Sequence, residues 1–153
     1  MRRKEKEIID NEVLNEIIGS AQVCRLGLSN GDAPYIVPLC FGYKDRTLYF
    51  HTAAEGKKIE IIKKNPNVCF EFDRNVEVLQ ADKPCNWGMK YQSIIGYGKA
   101  IFIEALEDKR EALKIIMSQY TKGHFSLQNP AITSTTVFKV IVYEMTGKWS
   151  FEA

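Results

Sequence analysis

Leu48-Tyr49-Phe50-His51-Thr52-Ala53-Ala54-Glu55-Gly56-Lys57-Lys58-Ile59 joins a strand-like run to a helix-like one. Thr47 to His51 is rich in β-formers, whereas Gly56 to Lys64 sets Ile59, Ile61 and Ile62 among lysines and is closed by Asn65-Pro66. The start of such a helix presents unpaired backbone N–H groups, where negative charge is favoured. Lys57 and Lys58 fall at that end, and a cation there opposes the macrodipole by about 0.3 to 1 kcal/mol. Two adjacent lysines therefore suggest an external anion, and a phosphate fits. Thr52 offers a hydroxyl and Gly56 allows close backbone approach. The alternative reading starts the helix at Ala53, with Glu55 answering the dipole and both lysines solvated. His51 is open in the same way: it is either hydrogen-bonded structure or, beside an anion site, a source of a hydrogen bond or proton near neutral pH.

The run before this junction is Tyr35-Ile36-Val37-Pro38-Leu39-Cys40-Phe41-Gly42-Tyr43. Proline cannot donate to a sheet ladder, so Pro38 implies an edge, a bulge or an opening. Backbone groups freed there suit the rim of a planar heterocycle, with Leu39 and Cys40 beside it; an ordinary edge strand accounts for the same residues. Val23 to Leu28 and Thr47 to His51 flank Tyr35 to Tyr43 as hairpin-linked strands. Asn67 to Asp73, Met89 to Glu104 and Thr135 to Thr146 read as three more, with Gly96 and Gly98 marking bends or bulges. Asp10 caps a short helix carrying Val13, Leu14, Ile17 and Ile18, with Gly19 past its end. Leu106 to Tyr120 is a second amphipathic helix with Leu113, Ile116, Met117 and Tyr120 on one face. The pattern is mainly β, about six mostly antiparallel strands with three peripheral helices, and suits a small barrel; a sandwich fits the pattern too.

A length of 153 residues is one domain, 1–153, without a linker or repeat, and 45% hydrophobic residues supply its core. The formal net charge of +2 lacks the field of a dedicated nucleic-acid binder. No apolar run is long enough for a membrane span, and the opening residues lack a signal-peptide pattern. Cys24, Cys40, Cys69 and Cys85 show no metal or haem-attachment spacing and read as reduced thiols in a cytoplasmic protein. The first three read as small core residues, and Cys85 falls in a polar loop.

Taken together, these residues resemble the FMN-binding split-barrel superfamily of pyridoxamine 5'-phosphate oxidase-like proteins, in particular its nitroimidazole-resistance type. The resemblance runs through Met1-Arg2-Arg3-Lys4, Tyr35 to Phe41, Leu48 to Lys58, Asn65-Pro66 with Val68-Cys69-Phe70, Tyr91-Gln92-Ser93-Ile94-Ile95-Gly96-Tyr97-Gly98, and Met145-Thr146-Gly147-Lys148. It implies a six-stranded antiparallel split barrel and a homodimer with FMN at two interface sites. By that similarity Thr52, Gly56, Lys57 and Lys58 belong to the phosphate corner, and Val37, Pro38, Leu39 and Cys40 to the strand along the isoalloxazine ring. His51 lies next to the ring, and Tyr91 and Ser93 approach from the partner subunit or the rim. The Arg-rich closing segment of the vitamin-oxidising enzymes has no counterpart in Gly147 to Ala153, which argues against pyridoxamine phosphate as substrate. Asn86-Trp87-Gly88-Met89 is a candidate aromatic wall of the pocket. The expected activity is FMN-dependent reduction of a small oxidant such as a nitroaromatic, fed by a small-molecule electron donor, with His51 as the catalytic candidate and no metal. The alternative is a non-catalytic carrier of flavin, deazaflavin or haem, for which His51 and His124 are the candidate ligands.

Overall fold

Alternating apolar side chains draw the β-rich runs into one antiparallel sheet in the computed structural model, which describes residues 3–123 and 126–150. Met1 and Arg2 of the family-like opening, the haem candidate His124, and the final Phe151-Glu152-Ala153 lie outside the described residues. The strands are β1 (Glu7–Ile8), β2 (Cys24–Asn30), β3 (Ala33–Leu39), β4 (Gly42–Lys44), β5 (Thr47–Thr52), β6 (Asn67–Leu79), β7 (Gly88–Ile103) and β8 (Thr136–Ser150). The helices are α1 (Asn11–Ser20), α2 (Lys57–Lys64), α3 (Leu106–Tyr120) and α4 (Asn129–Ser134).

Sheet order is β3-β2-β6-β7-β8-β5-β4, with β1 paired to the far end of β8. The expected strands are β2, β3, β5, β6, β7 and β8, each of six residues or more; β1 and β4 have two and three residues. Among the described residues β3 and β4 do not pair with each other, so the curved sheet is a split barrel. No helix among them is long and apolar enough to cross a membrane.

The run from Tyr35 to Tyr43 is two strands, and α3 is the reason. The Tyr120 hydroxyl accepts the Phe41 N–H and donates to the Gln22 carbonyl, both at 2.9 Å, which takes Phe41 out of the ladder. At Gly42 an added Cβ would lie 2.6 Å from the α3 backbone at Ile115 and Ile116, so the helix rests on bare strand. Tyr120 is thus a hydrogen-bonding clamp, and with Met117 it is over a third exposed; within α3 the buried residues are Ala112 and Ile116.

Asp10 caps α1 as expected, accepting the Glu12 N–H at 2.8 Å, and Leu14, Ile17 and Ile18 are buried. Gly19 lies inside the helix rather than past it. The end is closed by a short-range bond from the Ala21 N–H to the Ile18 carbonyl at 3.1 Å, which needs no left-handed residue. The six-residue α4, opening on Asn129-Pro130, has too few turns to show an apolar period in the sequence.

Five phenylalanines form the centre of the core. Phe41 and Phe72 have ring centroids 4.8 Å apart, Phe70 and Phe72 5.8 Å, and Phe50 stacks on Phe138 at 5.0 Å. On β7 the inward positions are Ile94, Gly96, Gly98 and Ala100, so two glycines make room for neighbouring side chains. Gly98 sits at a register shift against β8, while Gly96 stays in regular register and faces Phe70. An added Cβ at Gly96 would come within 2.2 Å of the buried Phe70 ring. Gly96→Ala should therefore lower stability by about 1 to 3 kcal/mol, read as a reduced urea midpoint; an unchanged midpoint would show that this contact does not constrain the core.

Candidate functional site

The N-terminus of α2 is the first element of the site. Gly56 holds φ +125°, a backbone state that favours glycine, and has open space where a Cβ would stand. Its carbonyl accepts the N–H groups of Ile59 (2.9 Å) and Glu60 (3.2 Å), so the helix begins at Lys57 and not at Ala53. Glu55 consequently precedes the helix, and among the described residues no side chain caps it. Lys57 and Lys58 make no ion pair among those residues. Burial lowers the Lys58 pKa, with no carboxylate to offset it.

Ile59, Ile61 and Ile62 bury the opposite face of α2, which anchors the helix with its lysine-bearing end outward. Thr52, half-buried at the end of β5, leads into this corner across from Thr136 of β8. The Lys57 ammonium lies 4.8 Å from the ring centroid of Tyr35, a cation–π contact that ties α2 to β3. The two stretches singled out in the sequence therefore meet, through a tyrosine that was not among the candidate site residues. Uncapped N–H groups, two ammonium groups and a hydroxyl form a donor set for a phosphate-bearing ligand.

On β3 the side chains alternate. Val37 and Leu39 are half-buried against the core, and Pro38 and Cys40 are exposed. Among the described residues β3 pairs with β2 alone, which is where a strand proline is tolerated. Of the three cysteines expected in the core, Cys24 is buried and its thiol pKa is pushed up by that burial. Cys69 is half-buried, and Cys40, just past β3 and in step with the exposed Ile36 and Pro38, faces solvent.

Sequence reading missed Arg25, directly across from Pro38, whose guanidinium bonds Glu71 at 3.1 Å and also Asp73. Burial, then Asp73, raises the Glu71 pKa against the opposing pull of Arg25. The available signal was parity, since Glu71 and Asp73 share one face of β6.

His51 is exposed and borders a cavity of about 170 Å³ beneath α3 and α4. Tyr91 and Ser93 are half-buried on β7, with the Lys148 ammonium 5.3 Å from the Tyr91 ring centroid. β7 is three steps from β3 in the sheet, roughly 14 Å at the usual strand spacing, so one chain does not bring them to the Pro38–Cys40 strand. Trp87 is half-exposed before β7, and its indole N–H donates to the Ala81 carbonyl at 2.9 Å.

A family model described as pyridoxamine 5'-phosphate oxidase matches residues 10–149. A search of curated proteins returns no match. Among solved structures, a proposed 5-nitroimidazole antibiotic resistance protein from Bacteroides thetaiotaomicron is 41% identical, with a TM-score of 0.84 over 94% of this chain and 86% of that one. The flavocytochrome Anf3 from Azotobacter vinelandii is 17% identical, with a TM-score of 0.85 over 99% of this chain and 72% of that one. An FAD- and haem-binding protein from Mycobacterium smegmatis is 16% identical, with a TM-score of 0.85 over 95% and 73%. These last two share the fold.

The lowered pKa of Lys58 has a consequence for pH. Below its folded value the charged ammonium is disfavoured in the folded state, and that penalty is relieved as pH rises toward the ordinary 10.5. Ligand-free Lys58→Met should be slightly more stable than the parent protein at pH 7, with the gap narrowing as pH approaches 10.5. Urea unfolding at both pH values checks this, and a gap that widened with pH would contradict it.

Proposed function

The chain belongs to the pyridoxamine 5'-phosphate oxidase family, and from that premise we propose that it is an FMN-binding flavoprotein that reduces a small oxidant such as a nitroaromatic. The observation that carries this reading is the uncapped start of α2, where two lysines without carboxylate partners among the described residues stand beside open space at Gly56. A phosphate monoester matches that donor set in charge and number of acceptors. FMN, when bound, supplies the electron or hydride transfer itself.

The protein's part is to hold and orient. Thr52 would donate its hydroxyl to a phosphate oxygen, and the α2 N–H groups with Lys57 and Lys58 would neutralise the remaining charge. Tyr35 restrains Lys57 from the β3 side. The side of β3 left unpaired among the described residues, at Val37, Pro38 and Leu39, with Cys40 just past its end, offers backbone groups to the polar rim of a flat ring. His51, one residue before Thr52, can hold a proton at an imidazole nitrogen and deliver it to a reduced acceptor.

The same reading includes a homodimer, with Tyr91 and Ser93 reaching the site from the partner copy. Its support is an apolar row on the outer face of the sheet. Ile36 of β3 lies across from Gly27 of β2, Gly27 from Cys69 of β6, and Cys69 from Tyr97 of β7. Tyr143 of β8 joins them around a trough of about 460 Å³. Ile36 is 69% and Tyr143 62% exposed, an arrangement that favours cover by another surface.

Two measurements test the proposal. Lys57→Ala with Lys58→Ala should weaken FMN binding by roughly 10- to 100-fold per lysine and flatten its salt dependence, while affinity for riboflavin, which lacks the phosphate, should change little. Equal losses for both flavins would remove the phosphate assignment. Sedimentation of the flavin-loaded protein should give a dimer, and a monomer with flavin fully bound would overturn the shared site.

A further inference from the structure

The stripe Leu113, Ile116 and Met117 on α3 is only partly used by the core. With Ile132 and Ala131 of α4 it walls the cavity of about 170 Å³, and His51 and Thr135 supply its polar atoms. No charged side chain lines it among the described residues. The Thr135 hydroxyl already donates to the Ala131 carbonyl at 2.7 Å and so has lone pairs left to offer. The His51 imidazole makes no hydrogen bond or ion pair among the described residues and is free to donate. An enclosed apolar cavity of about 150 Å³ is large enough for benzene, so this pocket, open to solvent along its exposed residues His51, Met117 and Ala131, has volume for a single substituted ring. Burying an unpaired charge among these side chains would carry a large desolvation penalty.

We propose that this cavity binds an uncharged, single-ring aromatic compound, with the ring between α3 and α4 and His51 donating a hydrogen bond to a polar substituent. His51 is joined directly to Thr52, and Thr135 directly to Thr136, the cross-strand partner of Thr52. The polar rim of the cavity is therefore one residue from the phosphate corner on both β5 and β8. Assigning the compound as electron acceptor rests on the flavoprotein reading; its binding does not, because every wall belongs to this chain. Met117 and Ala131, both exposed and both lining the cavity, become the residues that set which ring is admitted.

The test uses the full chain with isotope-labelled Ile, Leu and Met methyl groups, without flavin and then with FMN, titrated with nitrobenzene, 4-nitrobenzoate and toluene. Nitrobenzene should produce saturable shifts at Ile116, Met117 and Ile132, with 4-nitrobenzoate at least tenfold weaker. Met117→Trp and, as a second variant on the other helix, Ala131→Leu should each reduce nitrobenzene affinity at least fivefold. His51→Phe should weaken nitrobenzene severalfold and leave toluene, which has no acceptor, unchanged. Absent or unsaturable shifts, shifts centred elsewhere, or equal affinity for 4-nitrobenzoate would each overturn the proposal. Intact nitrobenzene shifts in a protein that fails to bind FMN would support the cavity and sink the flavoprotein reading alone.

Discussion

Along its outer side, β3 carries backbone N–H and carbonyl groups with no neighbouring strand among the described residues. An open strand edge of this kind either invites another chain or must be blocked. Pro38 blocks it in part by removing a donor, and the interruption at Phe41 shortens it. The other features of the candidate site are arranged around this opening. α2 is tied to β3 by Lys57 and Tyr35, α3 clamps the end of β3 through Tyr120, and β5 ends on His51 and Thr52, just before the turn that leads to the lysines.

Electrostatics then distinguishes the two ends of the opening. At α2, positive charge accumulates without a carboxylate partner among the described residues, which is costly unless an anion answers it. Beside Pro38, Arg25 is already answered by Glu71 and Asp73. The first arrangement looks for an anion, and the second is satisfied within the sheet. This contrast is why the phosphate assignment falls on α2 and not on the nearest arginine.

Much of this was legible in the sequence. Periodicity located α1, α2, α3 and the six longer strands, because each has enough turns or alternations to show its period, but it ended β6 at Asp73 where the strand runs on to Leu79, and β8 at Thr146 where it runs on to Ser150. The lysine-bearing start of α2 was legible because a dipole conflict is local, confined to the first turn of one helix. What escaped was set by contacts distant in sequence. Tyr120 looked like one more apolar residue until Phe41, 79 positions away, met its hydroxyl. Tyr35 joined the candidate site through a lysine on another element, and Arg25 found its carboxylates on β6, beside β2 in the sheet but 46 and 48 positions away in sequence. Gly19 failed as a stop signal because the helix closed by a short-range bond that any residue can make.

The bare contact between α3 and Gly42 fixes how anything enters beneath that helix. With no side chain between helix and strand, α3 has no compliant layer to slide on, and any outward swing would also pull at Phe41 and the end of β3 through Tyr120. The wall made by α3 is therefore the stationary jaw. The short α4 is joined to that jaw: the Arg110 guanidinium donates to the Leu127 carbonyl at 2.8 Å and to Asn129 Oδ1, the Lys109 ammonium donates to the Thr135 carbonyl at 3.1 Å, and Ile132 is fully buried, so the doorway lies between two helices already fastened to each other.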